Sequence, residues 1–217
     1  MPRKNNPKQT IENIVSVSSK LFIEKGYDKT SMQDIVNALG MSKGAIFYHF
    51  DSKEAIFNAV MEKQFERVAE TVSGWLMDMQ GLTAKEKLSR LLKLNLTDET
   101  VNESSTMIAS VAGSPQVILG SIQNSLEKLA PIIAAVIREG IEDGSITTEF
   151  PDECADVFLL MLNFWCDTDV FPGDSEVVVK RFRFLQHMMK QLGVDIVADE
   201  IIEAVASFYQ KGLYVVD

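Results

Sequence analysis

The sequence predicts an all-α protein, with a small N-terminal three-helix domain of helix-turn-helix type followed by a larger helical body. Three observations carry that reading. Apolar residues recur at three- and four-residue spacing in segment after segment, from Ile11, Ile14 and Val15 to Ile201, Ile202 and Val205, the period of one helix face. Start signals precede those segments (Pro7, Ser31, Ser42, Thr83-x-x-Glu86), and Gly26, Gly40 and Gly81 follow them. Two of the segments are short and joined by Leu39-Gly40-Met41-Ser42, a turn of the length and composition that makes a helix-turn-helix.

Residues 1–6 read as a basic, solvated arm. Pro7 suits the first position of a helix, which carries Ile11, Ile14, Val15, Ser18, Leu21 and Phe22 as a stripe and stops at Gly26. Tyr27 is expected in the three-helix core. Ser31, or Thr30, can cap the next helix, in which Met32, Ile35, Val36 and Leu39 share a face. Gly40 leaves that helix at positive φ without steric cost. Ser42 caps a second short helix with Ala45, Ile46 and the aromatic run Phe47, Tyr48, His49, Phe50. Ile46 and Phe50 are four apart and should be buried; Lys43, Gly44, Phe47, Tyr48 and His49 point elsewhere. As a reading head, Lys and Tyr would reach phosphates, apolar atoms would meet thymine methyls, and Gly would allow close backbone approach. As a plain helical hairpin, the same aromatics would cap a core.

From Ile11 to Phe57 the chain resembles the N-terminal domain of the TetR family of transcriptional regulators. The matching pieces are Phe22-x-x-x-Gly26-Tyr27, Thr30-Ser31-Met32-x-Asp34-Ile35, Gly40-Met41-Ser42-Lys43-Gly44, Ile46-Phe47-Tyr48-His49-Phe50 and Ser52-Lys53-Glu54-Ala55. Ala45 stands where Thr or Ser is commoner in the family, and Phe47 where Tyr is commoner; each departure removes a hydroxyl. The resemblance implies a dimer with one helix-turn-helix per subunit in a major groove. Ser31, Lys43, Tyr48, His49 and Lys53 would then make mostly phosphate and sugar contacts, with Gln33, Lys43, Gly44, Ala45 and Phe47 nearest the bases.

Asp51-Ser52 opens a long helix that continues through Ile56, Phe57, Val60, Met61, Phe65, Val68, Val72, Trp75 and Met79 to Gly81. Lys53 near its positive end is ill matched to the helix dipole, which makes an external anion attractive. Thr83-x-x-Glu86 is a capping box for a helix with Leu88, Leu91, Leu92, Asn95 and Leu96 on one face. A polar stretch, 98–105, precedes a short helix with Met107, Ile108 and Val111. Pro115 starts a helix to about Asp143, in which Pro131 should cause a kink or irregular turn. Between Asp152 and Asp167, Val157, Phe158, Met161, Phe164 and Trp165 make one stripe, widened by Leu159, Leu160, Leu162 and Cys166. Val178, Phe182, Leu185, Met189 and Leu192 repeat along Ser175–Leu192. Helices apolar on several faces need cover on several sides, and a second subunit in an isologous four-helix interface supplies it. A last helix from Asp195 to Tyr209 carries Ile196, Ile201, Ile202, Val205 and Phe208.

The net charge is −10 over 217 residues, which taken whole argues against DNA. Residues 1–53 carry eight basic and five acidic groups, a net of +3, and 54–217 carry −13. That split confines favourable phosphate contact to one end and sets the expected domains: 1–53 for DNA, 54–217 for ligand binding and dimerisation. The N-terminus lacks the apolar core of a signal peptide, and no uninterrupted apolar run is long enough to span a bilayer. Cys154 and Cys166, if on one helix, lie about 18 Å apart, too far to pair; the expected compartment is the reducing cytoplasm.

No P-loop, nucleophile elbow or metal-spaced Cys/His set is present, so no catalytic residue, metal or cofactor is expected. His187 reads as a surface or interface residue. Trp75, Met79, Met107, Phe158, Met161 and Trp165 are candidates to line a pocket for a small apolar or amphipathic effector, on family likeness; each alone reads as core. Asp98, Glu99, Glu103, Asp167 and Asp169 would suit a cationic ligand or a solvated face. The expected function is a repressor that binds a palindromic double-stranded operator as a homodimer and is released by a small ligand. A helical protein-interaction module, or an activator without small-molecule induction, is the alternative.

Overall fold

The structure is a computed structural model and describes residues 7–95 and 115–210. All regular elements among the described residues are helices: α1 Pro7–Lys25, α2 Met32–Leu39, α3 Lys43–Phe47, α4 Lys53–Asp78, α5 Ala84–Asn95, α6 Pro115–Lys128, α7 Ala130–Asp143, α8 Pro151–Leu160 with a π-helical turn Met161–Trp165, α9 Ser175–Gln191 and α10 Asp199–Gln210. They form two compact units. Residues 7–66 and 115–121 belong to one, and 67–95 and 122–210 to the other, so the division falls within α4.

In the first unit, α1 buries Ile14, Val15, Ser18 and Phe22. Phe22, Tyr27 and Phe57 form a ring cluster, with centroids 4.8–5.5 Å apart. Tilted and edge-on rings at this separation add to the simple burial of their area. Thr30 tightens the corner after α1, its buried hydroxyl donating to the Gly26 carbonyl at 2.8 Å. Ile35 of α2 and Ile46 of α3 are fully buried between these elements.

In the second unit, the first turn of α5 would leave orphan amides. Thr83 and Glu86 satisfy part of that need as a reciprocal capping box, the Glu86 amide donating to Thr83 Oγ1 at 3.3 Å and the Thr83 amide to Glu86 Oε2 at 2.8 Å. The end of α7 supplies the rest: Ala84 N–H donates to Asp143 Oδ2 at 2.8 Å and Lys85 N–H to Ser145 Oγ at 3.2 Å. Lys87 pairs with Glu139 across the same two helices, and Arg138 of α7 with Asp152 of α8.

Three elements differ in detail from the expectation. The irregular turn expected near Pro131 is a full break at Leu129 that divides the expected Pro115–Asp143 helix in two, with Pro131 in the first turn of the second, where its missing N–H costs no bond. The helix expected from Asp195 begins at Asp199. Its would-be first turn is spent on tertiary bonds, the Ile196 and Val197 carbonyls accepting from Ser89 Oγ and Gln186 Nε2 at 2.9 and 2.8 Å. Gly193, at φ +80° just ahead of it, leaves no room for a Cβ beside the backbone of Thr147 and Thr148. Finally, α8 does not run as a plain α-helix to Asp167. It widens into the π turn, closed by Cys166 N–H donating to the Met161 carbonyl at 2.8 Å.

The segment 96–114, with the expected Met107 helix and Asp98, Glu99 and Glu103, lies outside the described residues, as do side chains beyond Ser207. No helix among the described residues is long and apolar enough to cross a membrane.

Candidate nucleic-acid interface and effector cavity

The helix-turn-helix is built by local chemistry. Ser31 Oγ accepts from the Asp34 amide at 3.1 Å, and Asp34 Oδ2 accepts from the Ser31 amide at 2.8 Å and from its hydroxyl at 2.5 Å. Lys25, closing α1, donates to the other Asp34 oxygen at 2.9 Å. The Ser31 hydroxyl, and after it the Lys25 ammonium, hold the Asp34 carboxyl well below the usual carboxylate range. Gly40 ends α2 at φ +61° with its amide donating to the Asn37 carbonyl. Ser42 then caps α3 by accepting from the Ala45 amide at 3.2 Å. The helix is one turn long, and Tyr48 and His49 continue it as a turn.

All nine residues expected to meet DNA lie in the first unit and outside its buried core. Ser31, Gln33, Lys43, Gly44, Phe47 and Tyr48 are exposed, while Ala45, His49 and Lys53 are half-buried. Tyr48 is 83% exposed, an unusual position for an aromatic ring without a partner to meet it. Lys43 Nζ sits 5.5 Å from the centre of the Phe47 ring, and the Tyr48 and His49 rings meet edge-on. Gln33 is held by its own helix, donating to Asn37 Oδ1 at 2.9 Å. Lys53 has an acceptor that sequence reading missed. Its ammonium donates to the Tyr27 carbonyl at 2.8 Å and lies 4.0 Å from the centre of the Tyr27 ring. Of its three N–H donors, one is thus spent inside the domain.

The second unit holds an apolar cavity of about 50 Å³ that opens to solvent. Among the described residues its walls are Val68, Val72 and Trp75 of α4, Leu88, Leu91, Leu92 and Asn95 of α5, Leu129 and Ile133, and Phe158, Leu159, Leu162 and Asn163. Of the expected lining residues, Trp75 and Phe158 are here. Met79 is buried but not in the wall, and Met107 lies outside the described residues. Met161 and Trp165 are not in the wall either. The extra residue of the π turn carries Trp165 out of the Phe158–Met161 stripe and onto α9, where its ring meets Phe184 at 5.6 Å and lies 5.7 Å from the Arg181 guanidinium. The Leu-rich wall from α5 was legible as a helix face but not as a cavity.

Asp167 and Asp169 follow the π turn and do not line the cavity. Burial pushes the Asp167 carboxyl up to about 6, against the pull of the Asp169 amide, which donates to it at 2.8 Å. Burial also pushes the neighbouring Cys166 thiol up to about 12. Among the described residues no three His, Cys, Asp or Glu side chains are grouped to hold a metal ion.

Two family models match this chain. One, described as bacterial regulatory proteins of the tetR family, covers residues 14–60, and the other, a tetracyclin repressor-like C-terminal domain, covers 104–187. The transcriptional repressor DhaR of Mycobacterium sp. (strain GP1) is 29% identical over 153 residues, 68% of this chain and 76% of that protein. The repressor Rv1474c of Mycobacterium tuberculosis is 42% identical over 60 residues, 28% of this chain and 32% of that protein. The chain is also similar in fold to RolR solved with resorcinol (TM-score 0.64, 20% identity, 92% of this chain and 94% of that one). Salmonella enterica GusR gives a TM-score of 0.60 at 22% identity, over 88% of this chain and 98% of that one.

Proposed function

The chain belongs to the tetR family of bacterial regulatory proteins and is a DNA-binding transcriptional regulator, and from that premise we propose a cytoplasmic homodimeric repressor that a small molecule releases from a palindromic operator. Residues 1–53 read the DNA, and 54–217 dimerise and bind the effector. The observation that carries the reading is the exposed α3, whose Lys43, Gly44, Phe47 and Tyr48 stand clear of the core that Ile46 anchors. Ser42 and Gly40 fix its entry, so the helix backbone that meets the groove is set before DNA arrives, which lowers the entropic cost of binding.

Dimerisation is supported by what α9 leaves uncovered. Its inner stripe, Val178, Phe182, Leu185 and Met189, is buried within the chain, while Val177 and Phe184 on its outer side are exposed, beside the exposed Phe171 of the preceding loop. A two-fold copy would cover them. Effector release is supported by α4, one helix that begins at Lys53 and contributes Trp75 to the cavity wall. The effector prefers a dimer whose recognition helices no longer match adjacent major grooves, and shifts the population toward it.

Binding of the purified protein to its own upstream DNA, titrated against salt and compared with random duplex, tests this. Salt-sensitive, sequence-selective binding at two subunits per site is the expected result. Equal affinity for both duplexes, with genome-wide selection of bound fragments also returning no preferred sequence, would overturn it.

A further inference from the structure

The cavity of the second unit has a chemistry specific enough to name the class of molecule it takes. Eleven of its thirteen described wall residues are apolar, and the two polar ones, Asn95 and Asn163, are both neutral amides. No Asp, Glu, Lys or Arg is among them. Among the described residues a charged ligand would lose its hydration there and find no counter-charge, a cost that binding does not recover. A wholly apolar ligand would strip water from two amides and give them nothing in return, which is also unfavourable.

Asn163 is the better placed of the two amides. It sits in the π turn, and its Nδ2 reaches the hydroxyl of the fully buried Ser125 at 3.5 Å, the long limit of a hydrogen bond. That contact turns the amide so that nitrogen faces Ser125. Among the described residues no donor meets its Oδ1. An amide oxygen carries two lone pairs, and with Asn95 it is one of two acceptors in a described wall otherwise made of Val, Leu, Ile, Phe and Trp.

We propose that Asn163, positioned by Ser125, is the specificity-determining residue of this cavity, and that the ligand is an uncharged, largely apolar small molecule carrying one hydroxyl or N–H that donates to Asn163 Oδ1. Trp75 and Phe158 suit a flat apolar body, and the amide selects its polar end. This deepens the effector reading proposed above and rests on it for the cavity's role, though not for its chemistry.

The test uses phenol, toluene and benzoate, which share one ring and differ in a single substituent, titrated calorimetrically into the full-length wild type, Asn163→Leu and Ser125→Ala. Wild type should bind phenol roughly tenfold more tightly than toluene and should not bind benzoate. Asn163→Leu should erase the preference by weakening phenol while keeping toluene, and Ser125→Ala should reduce it. A folded Asn163→Leu that still prefers phenol, a wild type that prefers benzoate, or one that binds none of the three overturns the proposal. Retained selective binding to upstream DNA in that last case would sink this inference and leave the regulator reading standing; loss of DNA selectivity with phenol selectivity intact would do the reverse.

Discussion

Lys53 Nζ donates to the main-chain carbonyl of Tyr27 at 2.8 Å and lies 4.0 Å from the centre of the same residue's ring. One residue thus offers the ammonium both a dipole and a π face, and α4 is tied at its first turn to the corner that follows α1. The ammonium sits at the positive end of α4 because these two acceptors outweigh the helix dipole there; each is worth about 0.5–2 kcal/mol, against a few tenths to about 1 kcal/mol for an exposed charge at a helix end. Two further N–H donors remain on the ammonium.

Lys53→Ala should therefore have two effects. Binding should weaken about equally on all DNA sequences, with the salt slope flattened by roughly one unit, and the fold should lose about 1 kcal/mol in denaturant titration. Tyr27→Leu keeps the carbonyl and removes the ring, so it should cost stability through both the ammonium contact and the Phe22–Tyr27–Phe57 cluster, without altering the salt slope. A change of sequence preference in Lys53→Ala would contradict a phosphate role.

Tyr48→Ala separates reading from folding. The ring is 83% exposed, so thermal stability should stay within about 0.5 kcal/mol of wild type. Affinity for the specific duplex should fall roughly tenfold or more. Equal affinity would place Tyr48 outside the interface.

The Ser31–Asp34 box predicts a pH dependence. The folded-state pKa of Asp34 is depressed by its bonds to Ser31 and Lys25, so the stability it contributes is present above the unfolded carboxylate value and is lost as pH falls through the folded one. Asp34→Asn should accordingly flatten the acid limb of the stability curve and leave its slope near neutrality unchanged. Ser31→Ala should cost about 1 kcal/mol at pH 7, as loss of an N-cap does.

Asp167 has the opposite sign. Burial raises its pKa to about 6, so the folded chain binds a proton that the unfolded chain releases, and stability falls as pH rises from about 4 to 6. Asp167→Asn keeps an oxygen for the Asp169 amide and never ionises. It should be more stable than wild type at pH 8, by roughly 1–3 kcal/mol, and nearly equal to it at pH 4. The difference between the two unfolding curves is the readout.

Both cysteines are buried and free, and burial holds the Cys166 thiol at about 12. Neither should react with a disulfide reagent at pH 8 until denaturant is added. Fast labelling of the native protein would show that the α8 region opens.

Much of the candidate interface was legible in the sequence because it depends on short-range chemistry. Ser31, Gly40, Ser42 and Thr83-x-x-Glu86 act on amides within a few residues, and the structure shows each in the expected role. Ile46 is fully buried, as its spacing to Phe50 required, although Phe50 itself is only half so. The cavity was not legible in the same way. Periodicity reports that Leu88, Leu91 and Leu92 share a face, but not whether the face opposite touches them or leaves a gap.

By itself, then, the sequence determined the helices, their caps, the exposed short helix α3 and the charge split, because each follows from backbone hydrogen bonding and side-chain chemistry over one or two turns. Tertiary structure decided what depends on which surfaces meet. It sent Lys53 to Tyr27, 26 residues away in sequence. It inserted the π turn that moves Trp165 from the Phe158 stripe to Phe184. It also chose which apolar side of α9 is internal: Val178, Phe182, Leu185 and Met189 are buried, and Leu192 of the same repeat is not. Apolar spacing fixes that a face must be covered, and only packing in three dimensions fixes by what.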